Sequence, residues 1–164
     1  MPVPRAVAVV LDGGRVLVIK RYLRCDSAGT CVMCADDGQT TGPCPGHNYA
    51  VLPGGGVEDG ETAEAAALRE LQEETTLTAR ISRLLWTGQH NDRPASYFLV
   101  ADVRGRPVLS GPEALDHGPR NSFELRWAGP ADFEVLNLHP RGLRDQLARL
   151  LNSAPAREPA PPRS

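Results

Sequence analysis

The chain has 164 residues, with 18 basic and 20 acidic side chains and a net charge of −2 at pH 7. That length fits one domain, and an apolar share of 41% is enough for a packed core, which excludes wholesale disorder. The slightly acidic balance argues against a broad polyanion-binding surface, and no apolar run approaches the roughly 20 residues of a membrane helix. The start, Met1 to Arg5, is too short and too soon followed by a strand pattern to read as a signal peptide. A cytoplasmic chain without membrane or nucleic-acid partners is therefore expected.

Ala6 to Leu11 and Arg15 to Tyr22 are β-rich apolar runs, and Asp12-Gly13-Gly14 between them has hairpin-turn chemistry. From Leu23 to Asn48 the periodicity disappears, and Gly, Pro, Asp and Thr gather with all four cysteines. This reads as an insertion, unusually long for a structureless loop in a compact domain. Tyr49 to Pro53 is short and apolar and ends at Gly54-Gly55-Gly56. Thr62 to Thr75 is expected to be a helix, with Thr62 as N-cap, Glu64 in the first turn and an alanine- and leucine-rich body.

Ala79 to Trp86 and Ser96 to Val103 read as strands, Arg104 to Pro107 as a turn, and Glu124 to Trp127 as another strand. Leu143 to Leu151 carries leucines at amphipathic-helix spacing. The expected organisation is one mixed α/β (α+β) domain over 1–153, holding the insertion 23–48, with a disordered Pro/Ala/Arg tail over 154–164.

Chemistry concentrates between Gly54 and Leu77. Helical positions three and four apart share a face, so Glu70, Glu73 and Glu74 project together, while Ala67, Leu68 and Leu71 suit burial against a sheet. Clustered like charges repel, and a hard divalent cation with oxygen ligands offsets that; magnesium suits a few carboxylates plus waters and phosphates. The glycines allow close backbone approach and can aim a carbonyl at the metal. Glu61 is near enough to fold over the cluster, and Arg69 is placed to orient a carboxylate by a two-point contact. An exposed acidic helix face is the plain alternative for three glutamates alone.

The flanking pattern resembles the Nudix box, G-x5-E-x7-R-E-U-x-E-E-x-G-U, with U a bulky apolar residue. Here it runs through Gly55, Glu61, Arg69, Glu70, Leu71, Glu73, Glu74 and Leu77, and departs only at Thr76, where the family has glycine. A β-branched residue adopts a left-handed helix exit poorly, so a different helix end is expected there.

The resemblance implies an α/β/α sandwich with a mixed sheet and hydrolysis of nucleoside diphosphates linked to another moiety. It implies Mg2+ (or Mn2+) on Glu70, Glu73 and Glu74, with a carbonyl of Gly54 or Gly55 assisting. Glu61 would stand in an outer shell, and Arg69 would orient the glutamates. The general base is open between a carboxylate such as Glu74 and a later loop residue, for which Glu113 is the candidate. Of Lys20 and Arg21, which alternate across a strand, at most one is expected to meet phosphates. His90 reads more simply as a polar loop residue, and Trp86, Trp127, Tyr49 and Phe123 as core before base-stacking groups.

Cys25, Cys31, Cys34, Cys44 and His47 supply five soft ligands, any four of which can make a structural Zn2+ site. Free thiols are the competing reading, with a redox or disulfide role behind both. Two alternatives to the hydrolase were weighed: a non-catalytic nucleotide-binding regulatory module, and a nucleic-acid-binding zinc module. The intact glutamates speak against the first, and the acidic balance against the second. Nothing in the sequence selects one nucleotide substrate. Homodimers are common in the family, but no segment here selects that state.

Overall fold

A computed structural model describes residues 2–111 and 118–153. Glu113 and the tail 154–164 lie outside the described residues. In chain order the strands are β1 (Arg5–Val9), β2 (Leu11–Asp12), β3 (Arg15–Leu23), β4 (His47–Val51), β5 (Gly54–Gly56), β6 (Thr78–His90), β7 (Arg93–Arg104) and β8 (Asn121–Ala128). The helices are α1 (Val32–Asp36), α2 (Ala63–Thr75) and α3 (Leu143–Ser153). One sheet runs β5-β1-β7-β6 and is mixed, since β1 and β7 are parallel while β1–β5 and β6–β7 are antiparallel. In the second, β3 pairs with β2 and β4 along one edge and with β8 along the other.

β1 explains the layering. Alternate residues of a strand face opposite sides, and here both sides are buried. Ala6 and Ala8, with Val10 beyond the strand, pack with Ala66, Ala67, Leu71 and Leu77 of α2 and its exit. Val7 and Val9 pack with Val16, Val18, Ala50 and Leu52, and with Leu143, Leu147 and Leu151 of α3. The α/β/α arrangement expected from the sequence follows. Alanines on both the strand and the helix let α2 lie close to β1, which sets the height of its glutamates above β5.

α2 begins as expected: Thr62 Oγ1 accepts a hydrogen bond from Ala65 N at 3.1 Å. Its end corrects the expectation. Thr76 takes the left-handed conformation (φ 65°) that glycine adopts easily, and its N–H closes onto Gln72 O at 2.9 Å. The helix therefore ends in the ordinary left-handed way, with the Thr76 hydroxyl donating to Arg106 O at 3.1 Å. That bond offsets part of the roughly 1–2 kcal/mol that a left-handed L-residue costs.

Two other segments are more ordered than the sequence reading had them. β6 and β7 run past the expected strands and meet at Asn91-Asp92, both at positive φ, as a two-residue hairpin turn requires. The insertion carries a 3₁₀ turn (Ala28–Thr30) and α1, and buries Ala28, Cys31, Met33, Cys34 and Cys44 against Ile19, Tyr49, Val51 and Phe123. No described helix is long and apolar enough to cross a membrane.

The Thr76 hydroxyl gives a rank order of stability. Thr76→Val keeps the shape and the strain but loses the bond, and should lower unfolding free energy by about 0.5–1.5 kcal/mol. Thr76→Gly relieves the strain and should be no less stable than the parent. Urea midpoints at unchanged m-value test this, and a valine variant as stable as the parent contradicts it.

Candidate functional site

Arg69 stands at the centre of the carboxylate face. Its Nε and Nη2 grip the two oxygens of Glu61 at 2.8 and 3.0 Å, and Nη2 also donates to Gly56 O at 3.0 Å. Its Nη1 donates to Glu70 Oε1 at 3.0 Å and to Glu73 Oε2 at 3.2 Å. One guanidinium thus ties the start of the segment, the glycine strand and two turns of α2 together, as its planar fork allows. The Glu61 contact, against the opposing pull of burial, pushes Arg69 further above its ordinary pKa. In return the Arg69 hydrogen bond, helped by the Glu58 N–H, holds Glu61 below the usual carboxylate range.

The glutamates are graded in depth. Glu73 is half exposed, whereas Glu74 is 5% exposed and accepts a long hydrogen bond from Gly54 N at 3.4 Å. Gly54 and Gly55 have no room for a side chain. A Cβ on Gly54 would lie 2.5 Å from Ala6 O, and one on Gly55 would lie 2.3 Å from Glu70 Oε1. The cradle therefore brings the β5 backbone directly against the Glu70 carboxylate, as a hard-cation site with backbone assistance needs. Arg69 takes only one oxygen each of Glu70 and Glu73. The donor set fits a magnesium-type ion.

Beside this face stands a half-buried cation that the sequence does not mark. Arg5, at the start of β1, feels the charges of Glu74 and Glu70. Burial pushes its guanidinium down, and Glu74 opposes that shift. Its Nε is buried with no hydrogen-bond partner among the described residues. Arg5 also lines a pocket with Val7, Leu52, His90, Tyr97 and His139. The pocket shares His90, His139 and Pro140 with an open cleft of about 420 Å³.

Arg21, on β3, is a second half-buried cation, and its charge reaches His90. Its register partners are Tyr49 on β4 and Phe123 on β8, and its guanidinium lies 5.5 and 4.7 Å from those ring centres. Arg21 Nε is likewise buried without a hydrogen-bond partner among the described residues. Tyr49 and Phe123 therefore hold an arginine, while Trp86 tilts against Tyr97 and Trp127 packs near Leu17 and Leu71.

His90 ends β6 and faces this cleft, so it is more than a loop residue. Burial, then the charges of Arg5, His139, Arg93 and Arg21, bring it down to about 4. Arg5 left little signal, a single arginine heading an apolar strand, and His139 left none, because its place depends on the chain folding back beside β4. Glu113, outside the described residues, has no position here.

The insertion gathers a separate cluster. Cys31, Cys34, Cys44 and His47 are all buried, with ligand atoms within 4.8 Å of one another. Cys34 Sγ lies 3.2 Å from His47 Nε2, and Cys44 Sγ lies 3.8 Å from Cys31 Sγ. All four cysteines are unpaired thiols, and Cys25, the fifth candidate, is only half-buried and outside the four. Burial and hydrogen bonds with Cys44 and Cys31 push Cys34 up to about 12. Burial acts to raise Cys44 too, but N–H groups of Gly46 and Cys25 and the neighbouring thiols outweigh it and bring Cys44 down to about 6.

The fold is that of known Nudix proteins. The solution structure of the E. coli ORF135 protein aligns at TM-score 0.61 and 18% identity, over 92% of this chain and 91% of that one. A MutT NUDIX hydrolase from Burkholderia pseudomallei aligns at TM-score 0.57 and 22% identity, over 90% of this chain and 96% of that one. In sequence, 70 residues are 40% identical to the ADP-ribose pyrophosphatase of Methanocaldococcus jannaschii, covering 40% of this chain and 41% of that protein. The match thus spans less than half the length of this curated relative. Residues 1–150 match the NUDIX domain family model, and the chain belongs to the Nudix family of hydrolases.

The low pKa of His90 predicts a pH dependence of stability. Between its ordinary value of 6.5 and about 4, the unfolded chain binds a proton that the folded chain does not. Stability should therefore fall as pH drops through that window, and His90→Gln should flatten the fall. Urea unfolding at several pH values measures the slope; an unchanged slope in the variant contradicts the assignment.

Proposed function

We propose that this enzyme hydrolyses a phosphoanhydride bond in a nucleoside diphosphate linked to a second moiety. The observation that carries this is a juxtaposition: a carboxylate face suited to a divalent cation stands beside Arg5, whose buried guanidinium Nε meets no described acceptor and which lines a pocket with His90 and His139. A polyphosphate supplies that acceptor, and the adjoining cleft of about 420 Å³, which shares His90, His139 and Pro140 with the Arg5 pocket, falls in the range of small-molecule sites.

Glu70, Glu73 and Glu74, with a carbonyl of Gly54 or Gly55, would hold Mg2+ (or Mn2+). When bound, this ion neutralises phosphate charge and lowers the pKa of a coordinated water. Arg69 keeps Glu70 and Glu73 aimed, and Glu61 anchors Arg69 from the other side. Arg5 binds the diphosphate next to the glutamates, and Arg21, backed by its two rings, orients the attached group. Neutral His90 and His139 offer hydrogen bonds to the moiety in the cleft without competing for the cation.

For the proton of the attacking water we propose Glu113 as the outer carboxylate, with Glu74 the competing acceptor. Ser110 N donates to Glu74 O at 2.8 Å, and the Ser110 hydroxyl bonds to Glu73 O. Ser110, three residues before Glu113 in the sequence, is thus held against the carboxylate helix. The same reading takes 1–153 as one domain, and the unpaired thiols support a cytoplasmic setting.

The test is a magnesium-dependent hydrolysis screen. ADP-ribose leads the panel because the M. jannaschii relative is an ADP-ribose pyrophosphatase; nucleotide sugars, dinucleoside polyphosphates and oxidised nucleoside triphosphates follow. Glu73→Gln with Glu74→Gln should cost at least about 100-fold in kcat, and Arg5→Gln should act mainly on KM. Nucleotide binding without turnover on any compound would replace the hydrolase with a regulatory module.

A further inference from the structure

We infer that Cys31, Cys34, Cys44 and His47 form a structural, tetrahedral Zn2+ site, with His47 binding through Nε2 and Cys25 left out. The four residues come as two pairs with two residues between members, Cys31-x-x-Cys34 and Cys44-x-x-His47. The first pair sits at the start of α1, and the second spans a turn through Gly46 (φ 85°) into β4. Zn–S bonds of about 2.3 Å and Zn–N bonds of about 2.0–2.1 Å at tetrahedral angles require S···S near 3.8 Å and S···N near 3.6 Å. The observed 3.8 Å (Cys44–Cys31) and 3.2 Å (Cys34–His47) match within a few tenths of an ångström. A sulfur pair 3.8 Å apart is far outside the roughly 2.05 Å of a disulfide.

The surroundings are those a thiolate–zinc site needs. Asp37 lies 3.8 Å from His47 Nδ1, on the ring edge opposite Nε2, where a carboxylate fixes the tautomer of a ligating histidine. On binding, three thiols release their protons to solvent, and the three thiolates, the neutral imidazole and Zn2+ leave one net negative charge. All four positions belong to the protein, which is the pattern of a closed, structural site. Such a site also explains how a segment rich in Gly, Pro and Asp stays packed on Ile19, Tyr49 and Phe123.

The full chain, purified without added metal, is assayed for zinc by elemental analysis, and again after Co2+ exchange by absorption spectroscopy. About one zinc per chain is expected, together with the intense visible bands and thiolate charge-transfer absorption of tetrahedral cobalt. Cys25→Ser should keep the full zinc content, whereas Cys34→Ser and Cys44→Ser should retain less than about a tenth at matched free zinc. The cobalt spectrum of the parent decides the coordination even where a variant fails to fold. Absence of zinc with a weak octahedral cobalt spectrum would overturn the site, as would iron in its place or loss of zinc in Cys25→Ser. None of these readouts depends on hydrolytic activity, so the hydrolase reading stands or falls separately.

Discussion

The fork of Arg69 is the contact on which the carboxylate face depends. A helix that lines three glutamates along one edge is weakened by their mutual repulsion, and without a fixed cation the carboxylates would splay into solvent. Arg69 supplies that cation from the same helix. It spends one edge on Glu61 and the other on Glu70 and Glu73, with Gly56 O closing the set. Because Glu61 and Gly56 lie outside α2, the guanidinium also fixes how the helix sits against β5. Arg69 uses one oxygen each of Glu70 and Glu73, and the Glu70 carboxylate stands directly against Gly55. The pairs to Glu61 and Glu70 are part-buried and the one to Glu73 is half exposed; together they set the direction of the carboxylates.

That arrangement works only if helix and strand are close, and small residues on both sides of the contact bring them so. Ala6 packs with Ala66 and Ala67, and Ala8 with Leu71, so little side chain separates strand and helix at Ala6. Gly54 and Gly55 extend the same economy to β5, where any Cβ would strike Ala6 O or Glu70. Alanines that merely raise helix propensity in the sequence therefore act as spacers of minimum height. Leu71 and Leu77 supply the apolar area that keeps the contact shut. A larger residue at Ala66 or Ala67 would lift the glutamates away from the strand before it touched any of them.

Legibility in the sequence divided along the range of the interactions. Local rules placed α2 between Thr62 and Thr75, its cap, its buried side and the carboxylate edge, because all of these repeat at helical spacing within one segment. The β1 and β3 runs and the terminal amphipathic helix were legible for the same reason. Thr76 misled because its hydroxyl finds Arg106 O, thirty residues on, and that partner lets a β-branched residue keep a glycine-like conformation. The strand past Trp86 was hidden because Thr87, Gly88, Gln89 and His90 hold their ladder by backbone pairing with β7, with little burial to leave a pattern. Arg5 and His139 lie far apart in the chain and meet only in the folded protein, so no spacing in the chain announces their pocket.

β4 and the turn after it connect the two clusters of chemistry. His47 opens the strand, Tyr49 follows with its ring against Arg21 and edge-on to His139 at 5.9 Å, and Gly54 and Gly55 lie just beyond. A side chain held at His47 therefore fixes the phase of the strand. Because neighbouring residues point to opposite faces, a slip of one position would turn Tyr49 away from Arg21. Arg141 adds a second link, 3.8 Å from Asp37, which in turn stands beside His47. Asp36 and Arg141 both line the open cleft. The cysteine-bearing segment thus contributes Asp36 to the cleft and sets the register of β4, whose Val51 lines the neighbouring Arg5 pocket. An insertion of this kind changes the lining of the cleft without touching the glutamates.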